Sequence, residues 1–544
     1  MKTTKKIVSI LLALAMVLSL ATTAFAYTVT IENDADGHTY EAYQIFTGDL
    51  ANNAENDSAE GTAAVLSNIK WGASVTNAAE LTGENSAEKV AEKLQTGTMD
   101  VDDLLKLVVL GNPVAESTAG EGEYIIDGLA AGYYLVKDEY GSLSGKDDAY
   151  TSYILEVVEN STLAPKSSVP EVEKKVDDKN DSNTDEDAIE WEDSADHDIG
   201  DDVPFKLEAT LASNVTSYKG AYKIVFHDTL SAGLTYNDDF KVYVGSVSDE
   251  NEVTNKFTDS YDSTTGKLTI SCEDVRDFAG DSAKIIVLYT AKLNENAVIG
   301  AAGNPNEVYL EYSNNPNWAP SGSDEPTEPG TPTEPSEPDQ PSEPDQPTEP
   351  EEPESPPTGN TPEDVVIVFT YKVDVNKVDE NKAPLTGADF KLEKKQADGS
   401  WKEIELTVDG ATFSAVGLDD GFYKISETKA PAGYNSVAPI YFKVEATHDE
   451  LADNPALKTL TVTVTDENGT PIADANADPE TGELGTFEVT LESGSISTDV
   501  VNKPGTVLPE TGGVGTTIFY ILGAVLMLGT AVVLVARKRM SANA

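Results

Sequence analysis

The chain has 544 residues, with 96 acidic against 37 basic side chains and a formal net charge of −59. So acidic a chain without a basic patch excludes nucleic acid as a partner. Its one cysteine, Cys272, excludes an intramolecular disulfide. From the N-terminus, Lys2, Lys5 and Lys6 precede an apolar run from Ile7 to Leu20, and Ala24-Phe25-Ala26 offers a small-x-small cleavage site. That order predicts a secretory signal peptide over 1–26, since the apolar core is too short to span a bilayer. The mature chain, beginning at Tyr27, is long enough for about three domains.

Breaks in composition divide it into segments 27–162, 169–318 and 365–507. Each reads mainly as strands, with period-two alternation in stretches such as "YTVTIEN", "KLTISCEDV", "KIIVLYTAKL", "TYKVDVNKV" and "LKTLTVTVT". Many short strands punctuated by Gly, Asn and Asp predict an all-β fold of tandem antiparallel, Ig-like β-sandwiches. In the first segment two helices are expected, Ser86–Leu94 with Ser86 as cap, and Val101–Leu110. "DGLAAGYYLVKDE" (127–139) echoes "VGLDDGFYKISET" (416–428), which predicts a related topology for the first and third segments. The connector 163–168 holds Leu163-Ala164-Pro165-Lys166-Ser167, where the proline fixes the backbone and leaves Lys166 reachable.

In the middle segment Val172, Lys174 and Val176 share a strand face, as do Ile224, Phe226 and Asp228, and Asn306, Val308, Leu310 and Tyr312. Alternation turns Lys175 outward, and Asn304 stands as a rival to Asn306. The stretch 177–202 is rich in carboxylates but lacks the spacing of an EF-hand loop, so it is expected as a solvated acidic loop. Residues 319–364 repeat Pro with Glu, Ser and Asp. They cannot build a core and are expected as an extended, protease-sensitive linker.

In the third segment Val373, Val375 and Lys377 line one face, Tyr423, Ile425 and Glu427 another, and Thr498, Val500 and Asn502 a third. A lysine in register with core valines calls for an explanation, because burying an unpaired lysine is costly. Burial strips the proton from the amine and makes it a nucleophile. A buried acid beside it can polarise an asparagine carbonyl and move protons, so that attack yields an isopeptide bond and ammonia. "NKVDENKAPLTGADFKLEKK", "YKISETKAPAGY" and "VVNKP" resemble the collagen-adhesin B-type (CnaB) domain. That resemblance implies a Lys377–Asn502 bond with Glu427 as catalyst. "YKIVFHDTLSAGLTY", "IGDDVPFKLEATL" and "NEVYLEY" resemble the isopeptide-forming middle domain (CnaA-type) of major pilins, implying a Lys174–Asn306 bond with Asp228 as the acid. "GHTYEAYQIFTGDL" and "LSNIKWG" resemble the N-terminal domain of the same pilins. There the opening strand has no lysine, so no such bond is expected, although Asp138 falls where Glu427 falls in the echo.

At the C-terminus Leu508, Pro509, Glu510, Thr511 and Gly512 precede an apolar run, 516–536, and a basic tail, 537–544, led by Arg537, Lys538 and Arg539. The run is long enough to cross a bilayer, and the positive cluster keeps the tail cytoplasmic. The three parts together resemble a sortase sorting signal, cut between Thr511 and Gly512. Lys166 resembles the acceptor lysine of a pilin motif, with Ala164 and Ser167 in place of the usual tyrosine and asparagine. The resemblances imply a shaft subunit of a covalent pilus on a Gram-positive surface, polymerised through Lys166 and Thr511. The partners implied are sortase, identical subunits and peptidoglycan, with minor pilins and a host surface ligand as further ones. The alternative is a monomeric wall-anchored adhesin with the sandwiches as its stalk. His38, His197, His227 and His448 form no metal-ligand spacing, no hydrolase motif is visible, and neither metal nor cofactor is expected.

Overall fold

The computed structural model describes residues 26–50, 66–165, 167–179, 191–319, 355–472, 487–505 and 514–540. The first unit is a two-sheet sandwich. One sheet runs Thr118–Ala119, Glu123–Leu129, Tyr27–Glu32 and Ser161–Leu163; the other runs Leu66–Trp71, Tyr40–Leu50, Gly132–Asp138 and Ser152–Val157. Val29, Ile31, Tyr40, Ala42 and Ile126 fill the space between them. Helices Ala87–Gln95 and Val101–Leu107 cover the outer face of the second sheet through a separate cluster that includes Ile45, Val90 and Leu104. The second helix stops at Leu107, short of the expected Leu110. Val108 is already extended, and the amide of Val109 is bonded to the Asn77 side chain.

The two-sheet core of the middle sandwich includes Phe205, Leu207, Phe226, Leu310 and Val366. Its first sheet contains Glu171–Asp177, Asp202–Thr210 and Lys284–Leu293, and its second Ile224–Leu230, Lys267–Cys272 and Asn304–Ser313. The boundary expected at 365 is corrected here. Asp364–Phe369 pairs antiparallel with Asn304–Ser313, and Thr358–Asn360 pairs with the other end of that same strand. Val366 and Val368 are fully buried in the middle core. The Pro-rich stretch therefore leaves and re-enters one sandwich, and its last residues, 358–364, are two strand pieces joined through Thr361, whose amide bonds Leu310 O, rather than linker. The reason is the apolar run "VVIVF", which places Val366 and Val368 in the core and pairs Val366 with Asn306. Residues 320–354 lie outside the described residues.

The third sandwich starts at Tyr371, with only Thr370 between it and the end of the middle strand at Phe369. Tyr371–Val378 lies antiparallel to Thr412–Leu418 and parallel to Ser495–Val501. The first unit repeats this arrangement, with Tyr27–Glu32 antiparallel to Glu123–Leu129 and parallel to Ser161–Leu163. In both units the chain then crosses to the opposite sheet at the echoed frame, where Gly128 and Gly417 have φ of +80° and +81°. The topological kinship read from the echo is thus present in the fold. Helix Val514–Met540 contains an apolar span, Ile518–Lys538, long enough to cross a membrane.

Candidate functional site

Two clusters built on a buried lysine lie in consecutive sandwiches. In the middle one, Lys174 is fully buried, and its Nζ lies 2.6 Å from Asp228 Oδ2 and 3.1 Å from the Tyr289 hydroxyl. The same hydroxyl donates to Asp228 Oδ2 at 2.8 Å and accepts from Asn306 Nδ2 at 2.7 Å. Burial lowers the Lys174 pKa, with the Asp228 charge opposing it; burial raises that of Asp228, with the Lys174 charge opposing. Asp228 Oδ1 and Asn306 Oδ1 have no hydrogen-bond partner among the described residues. Asn304, the rival, spends its amide on the backbone of Val298 and Val368. Alternation brought Lys174, Asp228 and Asn306 into view, but Tyr289 was missed. Its signal was the inward register of "KIIVLYTAKL", which sets it opposite Phe205.

In the third sandwich, Lys377 is fully buried, with Nζ donating to the Val500 carbonyl at 2.5 Å and lying 4.0 Å from Glu427 Oε1. Glu427 Oε1 accepts from Asn502 Nδ2 at 2.9 Å, and Oε2 from the Val437 amide at 3.0 Å. Burial lowers the Lys377 pKa to about 8, with Glu427 opposing, so a sizeable fraction is neutral amine near physiological pH. Asn502 Oδ1 has no hydrogen-bond partner among the described residues. Each cluster therefore sets an amine of reduced basicity beside an acid and a carboxamide, the components of amide exchange with loss of ammonia.

The corresponding position in the first unit is occupied differently. Asp138 is buried and bonded at 2.7 Å to His38 Nδ1, while His38 Nε2 meets Asp148 at 2.9 Å. Burial works against the imidazolium, but hydrogen bonds and charge from Asp138 and Asp148 outweigh it and raise the His38 pKa to about 9. No lysine shares this cluster among the described residues.

Two expectations are corrected. The described part of the acidic stretch is not a solvated loop: Asp193, Asp196, His197 and Asp198 are all buried, and Asp193, Asp196 and Asp198 bond residues of the third sandwich. Their backbone and side chains are consumed there, as in Asp193 N to Glu450 O and Ile199 N to Gly417 O. The oxygens of Asp198, Asp201 and Asp419 gather within 4.8 Å, but Lys394 Nζ reaches two of these three carboxylates. Lys175 does face away from the Lys174 core, yet it too is buried, under Asp193 and Glu173. Lys166 and Leu508, Pro509, Glu510, Thr511 and Gly512 lie outside the described residues.

Residues 371–455 match the SpaA prealbumin-like fold domain, and residues 500–541 match the LPXTG cell wall anchor motif. The chain is 25% identical over 473 residues to the trypsin-resistant surface T6 protein of Streptococcus pyogenes serotype M6, covering 76% of this chain and 75% of that protein. Among solved structures, the T6 backbone pilin is 18% identical, with a TM-score of 0.49 over 89% of this chain and all of that one. The Corynebacterium diphtheriae major pilin SpaA is 13% identical, with a TM-score of 0.41 over 88% of this chain and all of that one. The anchor match makes the chain a secreted, cell-wall-anchored surface protein of a Gram-positive bacterium.

Proposed function

We propose that this chain is the structural shaft subunit of a covalent surface pilus, joined to its neighbours by sortase through Lys166 and Thr511. The observation that carries the reading is the pair of buried lysine–acid–asparagine clusters in consecutive sandwiches of a wall-anchored chain. Similarity to the T6 protein over three quarters of its length supports it. The chain is a structural protein, and its chemistry is a single turnover on itself.

In the middle sandwich, Lys174 gives a proton to Asp228, and its lone pair forms the bond to Asn306 Cγ. Asp228 does not bond Asn306 directly, so the Tyr289 hydroxyl relays the proton that lets the amide nitrogen leave as ammonia. Tyr289 is thus a proton relay. Aspartate is one methylene shorter than glutamate, and the hydroxyl fills that gap. In the third sandwich Glu427 itself bonds Asn502 and needs no relay. Each step exchanges one carboxamide C–N bond for another, and burial excludes the water that would otherwise hydrolyse the product.

Assembly is tested by Lys166→Arg, which keeps the charge but stays protonated and cannot attack the acyl-enzyme. Wall extracts of that strain should lose the detergent-resistant ladder of the wild type, while monomers remain anchored through Thr511. A ladder that survives in the variant places the acceptor elsewhere. Absence of a ladder in a wild-type strain with its pilus-class sortase favours the monomeric adhesin.

A further inference from the structure

The joint between the middle and third sandwiches encloses a buried lysine that neither cluster uses. Lys394, in Asp389–Lys395, is fully buried. Its Nζ contacts Asp419 Oδ1 and lies 3.1 Å from Asp198 Oδ2. Asp419 sits at the crossing between Thr412–Leu418 and Gly421–Lys429 of the third sandwich, whereas Asp198 follows Ser194–Asp196 of the middle one. Asp198 Oδ1 accepts from the Asp419 backbone N–H at 3.0 Å, so the Asp198 carboxyl is gripped by a fixed donor on one oxygen and faced by the amine at the other. Asp419 is itself fully buried, and its Oδ2 has no hydrogen-bond partner among the described residues. Burial, then the neighbouring charge of Asp198, raise its pKa well above the usual carboxylate range, with Lys394 opposing. The turn is pressed close at this point: a Cβ on Gly417 would lie 2.3 Å from the Ile199 side chain.

We propose that Lys394 Nζ and Asp198 Cγ become joined by an amide bond that staples the third sandwich to the middle one. Lys394 Nζ first gives a proton to the Asp198 carboxylate, and the amine so freed forms the N–C bond to Cγ of that carboxylic acid, polarised by the Asp419 N–H. Asp419 passes its carboxyl proton to the departing oxygen, the C–O bond breaks, and water leaves. The surplus proton on nitrogen returns to Asp419, which ends as it began. The balance is amine plus carboxylic acid to amide plus water, with no outside reagent. Closing this bond removes two charges from a buried site, where each is costly to desolvate. It would also be independent of the Lys174 and Lys377 bonds, which release ammonia.

The test uses the mature chain carrying a protease site engineered within residues 320–354. Lys174 and Asn306 lie on one side of the cut, and Lys377 and Asn502 on the other, so only a bond across the joint can hold the halves together. After cutting and boiling in detergent, the halves should run as one band. Tryptic digestion should give residues 180–206 joined to 392–395, lighter than the two linear peptides by one water. Lys394→Met, of similar length, and Asp198→Ala should each let the halves part while the ammonia losses elsewhere persist. Parted wild-type halves, with normal tryptic cleavage after Lys394, would overturn the proposal, as would an unbroken band in Lys394→Met. Linked halves without any ammonia loss would instead uphold it and reject the bonds at Lys174 and Lys377.

Discussion

At the scale of single residues, what distinguishes the two proposed bond sites is how the acid reaches the asparagine. The mature protein should be lighter than its sequence by two ammonia molecules from these sites and one water from the joint between the sandwiches. Glu427→Ala should restore one of them, at the Lys377 peptide only, and Asp228→Ala the other, at the Lys174 peptide only; peptide mass mapping reads both. Tyr289→Phe leaves Lys174 and Asp228 in contact but removes the relay, so bond formation in the middle sandwich should slow by roughly 10²-fold while the third is untouched. Unslowed closure in Tyr289→Phe would remove its role. His38 makes a different prediction, because its pKa rises from 6.5 to about 9 on folding. A raised pKa contributes stability that is complete below the unfolded value and is lost as pH climbs through the folded one. The melting temperature of the first unit should therefore fall between about pH 6.5 and pH 9, by more than in a His38→Gln control. Equal slopes in the two proteins would show that the imidazolium does not hold Asp138 and Asp148 together.

At the scale of elements, the strand Asp364–Phe369 decides where the middle sandwich ends. Val366 and Val368 are wholly buried in that core, each contributing about 1.5–3 kcal/mol relative to exposure. A chain covering residues 167–318 lacks both returning strands and leaves one edge of Asn304–Ser313 open. It should give a poorly dispersed NMR spectrum, whereas residues 167–318 supplemented in trans by a peptide of residues 355–370 should recover native dispersion. Failure of the peptide to bind would mean that the pairing depends on the intact connection. The same returning segment touches the first unit. Gly145 N donates to Thr358 O, Asn360 N donates to Lys146 O, and a Cβ on Gly359 would strike Lys146 O at 2.4 Å. One short strand thus serves the middle core and the docking of its neighbour, which explains a glycine between Thr358 and Asn360.

At the scale of the whole molecule, the proposed bonds define how load crosses a subunit. In the proposed polymer, tension entering at Lys166 would pass through the Lys174–Asn306 bond, along the backbone from Asn306 to Lys377, and out through the Lys377–Asn502 bond to Thr511. The acid- and proline-rich stretch lies inside the one unbridged interval, and the Lys394–Asp198 bond would span it in parallel. In Lys394→Met, single-molecule pulling between the two ends should release up to about 3.5 Å for each residue between Asn306 and Lys377, and the wild type markedly less. Equal extension in both would mean that no bond bridges the joint. The anchor, the all-β class and the two lysine–acid–asparagine sets were legible in the sequence, because each rests on local order or on period-two alternation. Such alternation places Lys174, Asp228 and Asn306 on inward faces without any knowledge of which strands meet. Three features were decided only by tertiary structure: the return of 358–369 to the middle sheet, the burial of the acidic stretch and the meeting of Lys394 with Asp198 and Asp419. Strand pairing across a long insert and contact between sandwiches depend on which surfaces are left to be covered once each core has closed. No local periodicity in the chain records that.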